Sequence, residues 1–171
     1  MKHIKTYKIF ESQDNTELIK ELEKYNIENY TINNDGTIDV DGDVYLSNKY
    51  LTKIPFRFGK VSGNFTCSNN KLTSLEGCPK EVYGEFNCSI NNLKNLIGGP
   101  QEIGGDYYCY MNKLESLEGC AGDIGGSLYC LENQLVMLDC SSVINGSIYC
   151  RENGFKEEPE FFGICDRINW K

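Results

Sequence analysis

The chain has 171 residues, 40% hydrophobic and 25% charged, with 25 acidic against 17 basic residues and a net charge of −8. That length supports one domain with a core of its own, and the acidic balance argues against phosphate backbones as partners, since these need clustered Lys and Arg. No apolar run reaches the roughly 18 residues that span a bilayer, so neither a nucleic-acid nor a membrane partner is expected.

The first twelve residues, "MKHIKTYKIFES", are basic, and Lys and Tyr interrupt them too often for the apolar centre of a secretory signal. They resemble the short basic capsid-targeting leaders of T-even-type phages, which end in a prohead-protease site of the form Leu/Ile-x-Glu. The resemblance implies processing at Ile9, Phe10 and Glu11, with cleavage before Ser12. The alternative is that residues 1–12 are an N-terminal tail or strand that caps the fold.

Residues 13–41 read as an N-terminal cap. In "DNTELIKELEKYNI", Asp14 and Glu17 have the spacing of a capping box, and Leu18, Leu22 and Tyr25 share one helical face. The following "NYTINNDGTIDVDGDVYL" alternates apolar and polar residues around Asp35-Gly36, which predicts a β-hairpin.

From Gly42 to Phe155 the chain repeats itself. Six units of roughly 21 residues begin at Gly42, Gly63, Gly84, Gly105, Gly126 and Gly146. Phe65, Cys67, Asn70 and Leu72 recur as Phe86, Cys88, Asn91 and Leu93, then as Tyr107, Cys109, Asn112 and Leu114. Leu128, Cys130, Asn133 and Leu135 follow, and Ile148, Cys150, Asn153 and Phe155 end the series. The first unit is degenerate: Val44, Leu46 and Leu51 fit, but Lys49 replaces the Asn. Phe65 and Cys67 alternate with period two, so both point inward from a strand. Leu75, Leu96, Leu117 and Leu138 form another apolar column, and Val82, Ile103, Ile124 and Ile144 close the return path. The Asn column lies where the chain leaves the strand, and a buried amide there can satisfy backbone groups left open by the turn.

The nine cysteines follow the same register. Cys67, Cys88, Cys109, Cys130 and Cys150 fall 21, 21, 21 and 20 residues apart, and no pair is spaced as C-x-x-C. They read as small buried apolar residues in a reducing compartment, without a metal or redox cofactor. Cys78, Cys120 and Cys140 lie at a return-path position nearer the surface.

These units resemble the leucine-rich repeat, L-x-x-L-x-L-x-x-N-x-L, in its short bacterial and bacteriophage form. The resemblance implies a mainly β solenoid with one parallel strand per unit, an extended return path, and use as a binding surface. Residues 156–171 are expected to cap the far end through Phe161, Phe162, Ile164 and Trp170.

The residues that vary between units carry the functional reading. The outward column between the core positions runs Tyr45, Thr66, Asn87, Tyr108, Tyr129, Tyr149. The column after the cysteine runs Ser47, Ser68, Ser89, Tyr110, Leu131, Arg151, and Met111 follows Tyr110. Tyr45, Tyr108, Tyr110, Met111, Tyr129, Leu131, Tyr149 and Arg151 are therefore the candidate partner-binding residues on the concave side. Tyr, Met and Arg give large contact area with a polar handle, although stacking between strands alone also favours aromatic columns. Asp43, Glu85 and Asp106 flank this face with acid. No nucleophile elbow, P-loop, zinc-protease motif or dinucleotide fingerprint occurs, so no enzyme is expected. The reading is a non-enzymatic module, phage-encoded, that binds a protein in the host cytoplasm. The alternatives are a protein of the virion interior, or a glycan-binding adhesin.

Overall fold

The computed structural model describes residues 15–171. The Ile9-Phe10-Glu11 segment lies outside the described residues. One helix, α1 (Asn15–Lys24), turns the buried Leu22 inward. The hairpin strands β1 (Tyr30–Ile32) and β2 (Ile38–Val40) then pair antiparallel around Gly36, where φ is 78°. That left-handed turn is the conformation the Asp-Gly signal predicts.

The rest is a β-solenoid of about six turns. One sheet contains β1, β2, β4 (Phe58–Val61), β6 (Glu81–Val82), β8 (Glu102–Ile103), β10 (Asp123–Ile124) and β12 (Val143–Ile144). The other contains β3 (Val44–Tyr45), β5 (Phe65–Thr66), β7 (Phe86–Asn87), β9 (Tyr107–Tyr108), β11 (Leu128–Tyr129), β13 (Ile148–Tyr149) and β14 (Ile168–Asn169). Apart from the hairpin, every named strand pairing is parallel. Each turn, or rung, thus has two short strands where the sequence pattern suggests one. The extended return path places its own amides opposite those of the next rung, and pairing them is the way to satisfy them.

The core matches the repeated letters. Phe65, Phe86, Tyr107, Leu128 and Ile148 are all at 0% exposure, as are Cys67, Cys88, Cys109, Cys130 and Cys150. An aromatic series from Tyr25 through Phe56, Phe58, Phe65 and Phe86 to Tyr107 has ring centroids 5.2–5.7 Å apart and ties the cap to the rungs. The unit-opening glycines stack closely: the Gly84 amide donates to the Gly63 carbonyl over 3.0 Å, and a Cβ on Gly84 would lie 2.8 Å from that carbonyl group.

The asparagines form a ladder between rungs. The Asn91 amide nitrogen donates toward the carbonyls of Cys67 and Cys88 at 3.1 Å and of Ser89 at 3.2 Å, while its oxygen accepts from Leu72 N–H at 2.9 Å. Asn112 and Asn133 repeat the pattern, and Asn70 and Asn153 keep it at the ends. One side chain thereby closes its own turn and clamps the rung before it.

The C-terminal segment continues the solenoid instead of folding over its end. β14 pairs with β13, Phe161 bridges to Leu138, and Ile164 bridges to Val143. Phe161 and Trp170 pack partly against the core, as a cap would, but Phe162 is 81% exposed and Ile164 66%. Residues in an extra rung alternate between core and solvent, so half of the apolar residues meant as a lid face outward.

Candidate functional site

The outward column of the second sheet is built by strand register alone. β9, β11 and β13 align Tyr108 with Tyr129 and Tyr129 with Tyr149. The rings stack at 4.7 Å with 18° between planes for the first pair, and at 4.7 Å with 3° for the second. Tyr110 meets Tyr108 edge-on at 6.4 Å. All four are half-buried. The main chain that carries Tyr110 continues in register, with Met111 N–H bonded to Leu131 C=O and Glu132 N–H to Arg151 C=O. Tyr110, Leu131 and Arg151 therefore stand side by side, next to the tyrosine stack.

Met111 is 43% exposed, and its backbone has φ of 52°. The same turn position is left-handed at Asn48, Asn69, Ile90, Glu132 and Glu152, with φ between 51° and 60°. Among residues with a Cβ, Asn accepts this conformation most readily, so the later rungs hold Ile, Met and Glu at a sterically costly position.

Tyr45 does not join the cluster. Thr66 and Asn87 intervene between it and Tyr108 in the column, and it is 60% exposed. On the early rungs the face is a hydroxyl network, with Ser47 Oγ 2.8 Å from both Thr66 Oγ1 and Ser68 Oγ. Ser89 leaves the surface altogether at 1% exposure, its hydroxyl and amide both donating to Asn87 Oδ1.

The acidic flank is partly structural. Asp106 Oδ2 accepts from Tyr108 Oη at 2.9 Å, while Oδ1 accepts the Ser127 amide of the next rung at 2.7 Å. Asp43 treats Tyr45 and Asn64 in the same way, and the Asn64 amide and then the Tyr45 hydroxyl hold its carboxyl below the usual range. Burial, and then the bond to Asp106, pushes the Tyr108 phenol well above its ordinary value.

The repeat pattern did not reveal a second exposed apolar group near the C-terminus. Val136, Met137 and Phe162 line an open cleft with Asp139, Glu157 and Glu158. Phe162 is one of the four residues expected to cover the last repeat, and the register of the last rung turns it out. Among the described residues no group of three or more His, Cys, Asp or Glu side chains is arranged to hold a metal ion, and no helix is long and apolar enough to cross a membrane.

No family model, no curated protein and no solved structure matches this chain.

Proposed function

We propose that this chain is a non-enzymatic protein-binding module of the leucine-rich-repeat type. It engages its partner through Tyr108, Tyr110, Met111, Tyr129, Leu131, Tyr149 and Arg151. The observation that carries the reading is the three-ring stack of Tyr108, Tyr129 and Tyr149, half-buried and fixed by parallel register. Rings held in this way lose little side-chain entropy when a partner docks, which favours affinity. Arg151 beside them adds a charged, exposed donor of the kind that anchors interfaces.

The stack also bears on the kind of partner. Tyr129 has a neighbour against both faces, so the ring edges, not the flat faces, point outward. Sugar adhesion uses open aromatic faces, whereas protein side chains pack well against edges. This favours a protein over a glycan. The proposal that the module is phage-encoded and acts on a host protein rests on the resemblance of residues 1–12 to a capsid-targeting leader. The virion-interior alternative rests on the same segment.

The test is retention of a host-lysate protein by the wild type and by a Tyr108→Ala, Tyr129→Ala, Tyr149→Ala variant, under reducing conditions. Any captured protein is then purified and its binding remeasured with Arg151→Ala. Specific binding lost in the triple variant and weakened in Arg151→Ala supports the reading. Equal binding by a folded triple variant rejects the tyrosine face.

A further inference from the structure

Three of the nine free cysteines, Cys120, Cys140 and Cys165, are partly exposed, and the first two lie close together on neighbouring rungs. The five in the strand register are sealed in the core at 0% exposure, whereas Cys120 and Cys140 are partly exposed. Each lies three residues before a strand of the first sheet, where Asp123 of β10 is paired in parallel with Val143 of β12. That pairing brings the residues just before the two strands, the cysteines among them, onto neighbouring rungs. Neighbouring rungs are spaced ~4.8 Å apart, a separation within the roughly 4.4–6.8 Å Cα window of a relaxed disulfide.

The side chains meet, the Cys120 thiol lying against the Cys140 sulfur. The contact separates their roles. It drives the Cys120 thiol up, with burial adding to the effect. It brings Cys140 down to about 7, opposed by burial and helped by the Ser142 N–H, while the Ser142 hydroxyl donates to the Ala121 carbonyl at 2.6 Å. A thiolate is the nucleophilic form of cysteine, so one member of the pair is suited to attack and the other to follow. The position one rung earlier is Gly99, which separates the pair from Cys78. Cys78 itself is buried against Cys67 and held protonated by burial.

We propose that Cys120 and Cys140 form a reactive dithiol site for hydroperoxides, with Cys140 the attacking and Cys120 the resolving thiol. The Cys140 thiolate takes the terminal oxygen of ROOH, the O–O bond breaks, and the alkoxide leaves and is protonated to ROH. Sulfur is oxidised to sulfenic acid and the peroxide is reduced. Cys120 then attacks the sulfenic sulfur, the S–S bond forms, the S–O bond breaks, and hydroxide leaves with the Cys120 proton as water. The sum is two thiols plus ROOH giving a disulfide, ROH and water. The product staples the fourth unit to the fifth, independently of the tyrosine face.

The test exposes the fully reduced chain to increasing hydrogen peroxide, quenches with iodoacetamide and maps peptides by mass. The expected result is a cross-linked peptide pair containing Cys120 and Cys140, formed before any other cysteine is modified. In Cys120→Ser the Cys140 sulfenic acid accumulates and is trapped by dimedone. In Cys140→Ser no cross-link forms, and Cys120 reacts roughly tenfold or more slowly because it remains a thiol. A first disulfide elsewhere, cross-links between chains, or an unreactive Cys140 in Cys120→Ser overturns the proposal. The wild-type map decides the pairing even if a variant does not fold.

Discussion

The rings of Tyr129 and Tyr149 lie face to face, 4.7 Å apart and 3° from parallel, on neighbouring strands of one sheet. That distance is the strand spacing itself, so the solenoid dictates the stack and each ring steadies the next. One contact thus serves stability and presents a rigid exposed face, and the two contributions can be measured separately.

A double-mutant cycle of Tyr129→Ala and Tyr149→Ala, followed by urea unfolding, is expected to give a coupling of about 0.5–1.5 kcal/mol. The same cycle at Tyr45 and Tyr149, which are several rungs apart, should show additivity. Coupling near zero between Tyr129 and Tyr149 would remove the structural role of the stack.

Asn112 joins the carbonyls of Cys88 and Cys109 to the Leu93 amide. Asn112→Ala leaves these groups unpaired and should cost about 2–4 kcal/mol in chemical denaturation. Asn112→Asp keeps the shape but sets a carboxylate, which only accepts, against two carbonyls. Folding then favours the protonated acid, so its pKa is raised in the folded state. The variant should be most stable below the normal Asp range near pH 4 and weaken as pH rises. A variant as stable as wild type at pH 7 would contradict the ladder.

Ile90 occupies a left-handed turn at φ 56° and is 38% exposed, where the equivalent residues of the first two rungs are Asn48 and Asn69. A β-branched residue is strained there. Ile90→Asn should raise stability by about 1 kcal/mol, seen as a higher urea midpoint with an unchanged slope. A lower midpoint would mean that Ile90 packing outweighs the backbone strain.

Tyr107 is fully buried, and its hydroxyl has no hydrogen-bond partner among the described residues. Tyr107→Phe removes the unpaired group at nearly constant volume and should add about 1 kcal/mol. Burial raises the Tyr107 and Tyr108 phenols in the folded state. Their contribution to stability is therefore complete below the unfolded value near pH 10 and is lost as pH rises above it. Phenolate absorbance from these two rings should appear only together with alkaline unfolding, and Tyr107→Phe should move that unfolding to higher pH. Early, non-cooperative titration of every tyrosine would contradict the burial.

A fixed period made the columns readable in sequence. In stacked rungs, residues one period apart become neighbours, so the recurrence of Phe65, Cys67, Asn70 and Leu72 specified the core, and the letters that drift specified the surface. Asp35-Gly36 likewise marked its hairpin, because a tight left-handed turn has few chemical solutions. The period states who stacks, however, and not how the coil is bent in cross-section. Tertiary structure alone decided that the return path pairs into a second sheet and that Ser89 turns inward. The same holds for Phe162, which turns outward in an added rung, and for Tyr45, which stands apart from the other tyrosines. The contact of Cys120 with Cys140 belongs here too. Their return-path position marks them, with Cys78, as nearer the surface, and only the folded turn shows that Cys78 is buried and that Cys120 and Cys140 meet. Pattern fixes neighbours along the stack because backbone hydrogen bonding enforces register. The direction and depth of each side chain depend on the path of the whole rung, which no single column contains.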